Sequence, residues 1–257
     1  MAMTASLNHP ILETRNLCKD FKGFAAVSGV NLKVTRGTIH ALIGPNGAGK
    51  TTCFNLLTQF LSPSSGQIFF NGQDITGEKP AHVARRGIVR SFQISAVFPH
   101  LSVLENVRIA LQRPLGTSYH FWRSQNSLQG LNQQALELLD RVGLAAYAKQ
   151  LAVELPYGRK RALEIATTLA LNPKLMLLDE PTQGMGHEDV DQVMTLIKTV
   201  ATERTVLMVE HNMKVVAGIS DRITVLARGS VLAEGTYAEV SSHPEVITAY
   251  MGQEVAV

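Results

Sequence analysis

Between residues 11 and 39 short apolar runs, Ile11-Leu12 and Val27 to Val34, are broken by Gly23, Gly29 and Gly37. That punctuation predicts antiparallel strands joined by tight turns. Thr38 to Ile43 then reads as a compact apolar strand ending in glycine. From Lys50 to Leu61 the residues Cys53, Phe54, Leu56, Leu57, Phe60 and Leu61 recur near the helical period, so a helix opens directly after a glycine-rich turn. Pro63-Ser64-Ser65-Gly66 is expected to end it, and Gln67 to Asn71 begins another strand-turn element. From about Leu101 to Leu151 the pattern is mostly helical, with Ala135, Leu138, Leu139 and Val142 on one face and the Gln/Asn/Ser-rich stretch Ser124 to Gln134 as a loop feeding a helix.

The remainder alternates. Leu163 to Leu171 reads as helix, Leu175 to Leu178 as a short apolar strand, Val190 to Val200 as an amphipathic helix and Thr205 to Val209 as a strand. Ile223 to Leu226 and Val231 to Ala233, separated by Arg228-Gly229-Ser230, predict a closing hairpin. Strands alternating with helices predict an α/β chain with a parallel sheet covered on both faces, preceded by an antiparallel β region and interrupted by a helical insertion.

Composition narrows the class. Of 257 residues 45% are hydrophobic and 18% charged, which excludes a disordered or fibrous chain, and 24 Lys+Arg against 21 Asp+Glu leave only +3, which gives no footprint for nucleic acid. Cys18 and Cys53 form no metal-ligand cluster and are expected as buried, reduced thiols. The first residues lack the pattern of a signal peptide and no apolar run approaches the ~18 residues of a membrane helix, so a cytoplasmic chain is expected, with any membrane role exercised through a partner.

Two motifs carry chemistry. Gly44-Pro45-Asn46-Gly47-Ala48-Gly49-Lys50-Thr51 fits G-x-x-x-x-G-K-[ST] and lies between a predicted strand and helix. Such a loop wraps backbone N–H groups round phosphates, with Lys50 reaching the terminal phosphates, Thr51 available to Mg²⁺ and the helix dipole favouring the anion. The second is Leu175-Met-Leu-Leu-Asp179-Glu180, which delivers paired carboxylates at a strand's C-terminal end, where open α/β sheets bind ligands. Asp179 is suited to organise Mg²⁺ and Glu180 to polarise an attacking water.

GPNGAGKT, Gln93, LPYGRKRALEIA and LLDEPT in that order, followed by His211, resemble the ATP-binding cassette (ABC) ATPase family over nearly the whole chain. The resemblance implies a P-loop NTPase core at 1–92 and 172–257 carrying an N-terminal antiparallel β subdomain, with an inserted helical subdomain at 93–171. It implies ATP and Mg²⁺ as ligands and a head-to-tail dimer in which each ATP lies between one subunit's loop, Gly44 to Thr52, and the other's signature segment, here Tyr157 and Gly158. Phe21 matches the adenine-stacking aromatic, with Phe24 competing and a core phenylalanine as the alternative. Gln93 matches the metal-contacting, coupling glutamine, and His211 the histidine that contacts the γ-phosphate; Glu180, His211 and Gln93 would form the catalytic set, and Thr51, Gln93 and Asp179 the metal set.

The usual Leu-Ser-Gly-Gly-Gln becomes Leu155-Pro156-Tyr157-Gly158-Arg159, which removes a serine hydroxyl, and Gly184-Met185-Gly186-His187 lacks the usual Asp or Asn. Both departures point to an asymmetric dimer, with a homodimer left open. Tyr157, RALEIA, FPHLSVLENV and the tail AEGTYAEV…HPEVITAYMG are similar to one ATP-binding subunit of bacterial branched-chain amino acid importers; urea and amide importers use similar subunits. The implied partners are a second ABC ATPase subunit, integral membrane permease subunits and, indirectly, a periplasmic or extracellular solute-binding protein, with the chain at the cytoplasmic face of the membrane. A regulatory subunit with a degenerate ATP site is the alternative, and an ABC protein of ribosomes or DNA a further one. Tyr119-His120-Phe121-Trp122 reads as core packing or a membrane-subunit contact, and Arg85, Arg86 and Arg90 as a solvated basic face.

Overall fold

A computed structural model of the chain describes residues 10–91, 97–113 and 130–251. Pro10–Phe21 (β1) and Phe24–Val30 (β2) form a hairpin whose two-residue turn places both Lys22, at φ 54°, and Gly23, at φ 95°, in the left-handed region. Turns of that hand match the twist of the strands they join. Lys33–Thr35 (β3) also pairs with β1, and the first sheet runs β2-β1-β5-β6 once Ser65–Phe70 (β5) and Gln73–Asp74 (β6) have joined it.

The second sheet begins with Ile39–Ile43 (β4), every residue of which is buried, followed by Lys50–Leu57 (α1). Pro80–Arg86 (α2) leads into Ile88–Ser91 (β7), and later come Leu175–Asp179 (β8), Thr205–Val209 (β9), Arg222–Ala227 (β10) and Ser230–Gly235 (β11). Their order is β11-β10-β4-β9-β8-β7, parallel throughout except for the antiparallel β10–β11 hairpin.

Alternation along these strands builds two cores. Ile39, Ala41, Ile43, Met176, Leu178, Val206 and Met208 face one apolar cluster, while Leu42, Leu175, Leu177, Leu207 and Val209 face the other with Cys53, Phe54 and Leu57 of α1. A strand buried on both sides reads as a continuous apolar run, which is why LMLL and TVLMV lack polar alternation.

The first cluster extends into the insertion: Val103 and Val107 of Val103–Gln112 (α3), Ala135 and Leu139 of Asn132–Arg141 (α4) and Leu163 and Ala166 of Tyr157–Ala170 (α5) are all buried in it. The α3 start is set by a capping box, in which the Ser102 hydroxyl accepts from the Glu105 N–H at 3.2 Å and the Glu105 carboxylate accepts from the Ser102 N–H at 2.8 Å. His187–Ala201 (α6), Met213–Ile219 (α7), Tyr237–Ser241 (α8) and Pro244–Met251 (α9) complete the described helices.

Two expectations change. The helix at Lys50 stops at Leu57, not Leu61, because Gln59 takes φ 58° and its side chain closes the end, donating to Leu56 O at 3.2 Å and accepting from Gly77 N at 2.9 Å; Phe60 is consequently 55% exposed. Cys53 is buried as expected, whereas Cys18 is only half-buried, its sulfur accepting from the Gly29 N–H at 3.1 Å. The cluster Tyr119 to Trp122 lies outside the described residues.

Candidate functional site

The glycine-rich segment is a loop between β4 and α1 held against backbone on two sides. A Cβ on Gly44, at φ 149°, would lie 2.1 Å from Leu226 O, and one on Gly49, at φ 99°, would lie 2.5 Å from Ala26 O. These two glycines therefore answer to close backbone approach as well as to dihedral angle. The loop is closed internally by Ala48 N–H to Pro45 O at 3.1 Å and externally by Gly229 N–H to Ala48 O at 3.1 Å. Lys50, the first residue of α1, is buried, and its ammonium donates to Gly44 O at 2.7 Å and Pro45 O at 3.0 Å. Burial lowers the Lys50 pKa, opposed by the charges of Glu180 and Asp179. Thr51 is exposed and Thr52 half-buried in the first turn of the same helix, beside its positive dipole end.

Asp179 ends β8 with its carboxylate in an ion pair with Arg90, which also donates to Asn55 Oδ1 at 2.6 Å. Glu180 follows in the left-handed region at φ 44°, its N–H donating to Val209 O at 2.9 Å. A non-glycine there carries strain of order 1 kcal/mol or more, and its effect is to swing the second carboxylate out of the strand. His211 follows β9, 56% exposed, with Nδ1 4.0 Å from Glu180 Oε1 and 4.0 Å from Glu210 Oε2. Since β4, β9 and β8 are consecutive in the sheet, the glycine loop, His211 and the two carboxylates line up along its C-terminal edge, the usual crevice for ligands in such sheets.

Sequence reasoning missed three buried charged residues here. Glu210, fully buried, receives the Thr182 N–H at 3.1 Å, the Thr182 hydroxyl, the His211 N–H at 2.8 Å and the Asn212 N–H at 3.0 Å. Its signal was a carboxylate closing an otherwise apolar strand. Arg161 and Glu164 of α5 form a buried pair at 2.5 Å; Glu164 accepts from the Ser91 hydroxyl at 3.1 Å, and Arg161 donates to Asp179 O at 3.1 Å. Two opposite charges three apart within an apolar helical run were the mark.

Phe21 and Phe24 face each other as a β-pair at the tip of the β1–β2 hairpin, 43% and 67% exposed, so the core-phenylalanine alternative for Phe21 fails. Tyr157 opens α5 with its hydroxyl donating to Gln183 O at 3.0 Å, just past the carboxylates, and Gly158 lets Asp189 approach so closely that a Cβ would meet Asp189 Oδ1 at 2.6 Å. The Arg159 guanidinium lies 4.0 Å from the centroid of the Tyr147 ring, a cation–π contact within the chain. Gln93 lies outside the described residues. The expected solvated basic face holds for Arg85, exposed on α2, and partly for Arg86, on the same helix and paired with Glu78 at 2.6 Å, but not for Arg90, a half-buried strand residue bound to Asp179. Among the described residues no cluster of three or more His, Cys, Asp or Glu could hold a metal. The Thr51 hydroxyl and Asp179 carboxylate fit Mg²⁺, which takes one or two protein oxygens and completes its shell with phosphate oxygens and water.

The sequence matches the "ABC transporter" family over residues 27–183 and the "Branched-chain amino acid ATP-binding cassette transporter" family over residues 230–256. It is 39% identical to the high-affinity branched-chain amino acid transport ATP-binding protein BraF of Pseudomonas aeruginosa, an alignment over 257 residues covering 96% of this chain and 100% of the relative. In solved structures the fold matches an ATP-binding cassette of an ABC transporter in its ADP conformation, with a TM-score of 0.83 and 29% identity over 95% of this chain and 100% of that one. It also matches a dimeric ATP-binding cassette in a post-hydrolysis state bound to ADP and Pi, with a TM-score of 0.72 and 26% identity over 88% of this chain and 98% of that one.

Proposed function

Since the chain belongs to the ABC transporter family of ATP-binding cassettes, we propose that it is the ATP-hydrolysing subunit of a branched-chain amino acid importer. The observation that carries the solute is the second match, residues 230–256, together with full-length likeness to BraF. The catalytic reading rests on the sheet edge, where loop, paired carboxylates and His211 meet.

The N–H groups of Gly47 to Thr52 and the Lys50 ammonium hold the phosphates, Lys50 exchanging its carbonyl partners Gly44 and Pro45 for phosphate oxygens. Thr51, Asp179 and Gln93 would hold Mg²⁺, Asp179 presenting at the end of β8 a carboxylate that here pairs with Arg90. Mg²⁺, when bound, neutralises charge on the β- and γ-phosphates. Glu180 orients the attacking water and accepts its proton, and His211, 4.0 Å away, supports the γ-phosphate. Phe21 stacks on the adenine, its ring presented by the hairpin tip. Tyr157 and Gly158 form the face offered to the nucleotide of a second cassette.

The insertion at 93–171, which carries α3, α4 and α5, moves as a unit against the 1–92 and 172–257 core. A cleft of about 980 Å³ between them, lined by Phe60, Val89, Phe98 and Ile109, exposes apolar surface, and there we place the contact with a permease subunit. None of the described helices is long and apolar enough to cross a membrane, which suits a peripheral subunit at the cytoplasmic face; the solute-binding protein is reached through the permease.

The test compares Glu180→Gln with wild type in the assembled transporter, the wild type assayed for uptake of radiolabelled leucine, isoleucine, valine and urea. We expect MgATP binding within about threefold of wild type and turnover reduced by about 10³-fold or more, because binding and water activation use different residues. Near-normal turnover removes Glu180 from its role, and urea uptake without leucine uptake removes the solute.

A further inference from the structure

The β8–β9 ladder makes its last backbone link between the Glu180 N–H and Val209 O. One residue further, where backbone pairing has ended, the Glu210 carboxylate takes over the connection. Oε1 accepts from the Thr182 N–H and hydroxyl, on the loop that follows Glu180, and Oε2 accepts from the N–H groups of His211 and Asn212. One side chain thus spans the segment carrying Glu180 and the segment carrying His211.

The four donors match the four acceptor positions of a carboxylate. A carboxylate at zero exposure is costly to place, and apolar packing holds a sheet as well or better. Asn212 extends the clamp, since its side chain caps α7 by accepting from Lys214 N at 3.0 Å, so both ends of the His211 peptide are tied down. The imidazole itself stays free to meet a ligand, with Nδ1 equidistant at 4.0 Å from Glu180 Oε1 and Glu210 Oε2.

We propose that Glu210 is a positioning residue that sets the spacing of His211 and Glu180 by clamping the loops after β8 and β9 together. The inference rests on the hydrolytic reading of those two residues, and its consequence is specific: loosening the clamp lowers turnover through His211 and leaves nucleotide capture by the Lys50 loop alone.

Three full-length variants in the assembled transporter test it: Glu210→Gln, Thr182→Val and His211→Ala. Glu210→Gln turns an NH₂ against either the His211 and Asn212 N–H groups or the Thr182 N–H, and the expected loss in kcat is about 10- to 100-fold, the usual effect of losing a residue that orients a functional one. KM for ATP is expected to change by less than about twofold. Thr182→Val, which removes one hydroxyl donor and keeps the carboxylate, is expected to show a smaller loss of the same kind; it carries the test if Glu210→Gln fails to fold. In a His211→Ala background either change should add less than about twofold, because residues acting as a unit are non-additive.

A second readout needs no turnover. In the chain with labelled histidines, eight in all, the imidazole resonance assigned to His211 by its loss in His211→Ala should shift or broaden in Thr182→Val, which loosens the clamp but keeps the Glu210 charge 4.0 Å from Nδ1. Wild-type kcat in Glu210→Gln, a full additional loss in the His211→Ala background, or an unmoved His211 resonance overturns the inference. Absence of ATP turnover in the wild-type complex overturns the hydrolytic reading instead, and the resonance then still decides the clamp.

Discussion

Arg161→Met tests how the helical insertion is tied to the carboxylate strand. Arg161 and Glu164 pair at 2.5 Å, both almost fully buried, and the guanidinium also donates to Asp179 O at 3.1 Å. Without Arg161 the Glu164 carboxylate keeps only the Ser91 hydroxyl. Breaking a buried pair in this way costs about 3–5 kcal/mol, because the remaining charge is uncompensated. Burial already raises the Glu164 pKa above its ordinary 4.5, and Arg161 is the main influence holding it down, so Met at 161 raises it further. A folded pKa above the unfolded one means that the folded state binds the extra proton. Stability is therefore lost as pH rises from 4.5 through the raised folded value, and recovered as pH falls. Urea unfolding followed by far-UV circular dichroism, with variant and wild type compared at the same pH, should show a larger loss at pH 8 than near pH 5.5. Arg161→Met/Glu164→Leu, which removes both charges, should recover most of it. A loss below about 1 kcal/mol at pH 8, or an equal loss at both pH values, refutes the reasoning.

Gly44→Ala places a Cβ 2.1 Å from Leu226 O at φ 149°; the dihedral alone costs about 1–3 kcal/mol, and both urea stability and binding of a fluorescent ATP analogue should weaken, with unchanged binding counting against the loop geometry. Ser102→Ala removes the cap of α3 at about 1 kcal/mol, lowering the thermal midpoint by about 2–4 °C in a chain of this size; an unmoved midpoint would show that the tertiary contacts of α3 set its start.

What the sequence made legible is local or periodic. GPNGAGKT lies between an apolar strand and a helix, and the structure keeps that order with β4 and α1. LMLLD coincides with β8 and Glu180 stands just beyond it, and the β9 and β10–β11 predictions agree with the strands found. What escaped depends on distant partners. Gln59 ends α1 by adopting a left-handed turn that nothing in Lys50 to Leu61 demands, and Gly77, eighteen residues on, helps to hold it there. Arg90 read as a surface charge because its counter-ion, Asp179, is eighty-nine residues away and arrives only when β7 pairs with β8.

Glu210 and Glu164 share the same cause. A lone carboxylate at the end of TVLMV, or within LEIA, has the composition of a solvated residue, and only the donors assembled round it by the sheet make its burial tolerable. Both carboxylates sit one step behind a predicted site residue: Glu210 behind His211, and Glu164, through Arg161, behind Asp179. The motifs therefore mark the groups that face a ligand, and the polar residues that orient those groups come into view only with the strand order β4-β9-β8-β7 that brings four separate segments to one edge.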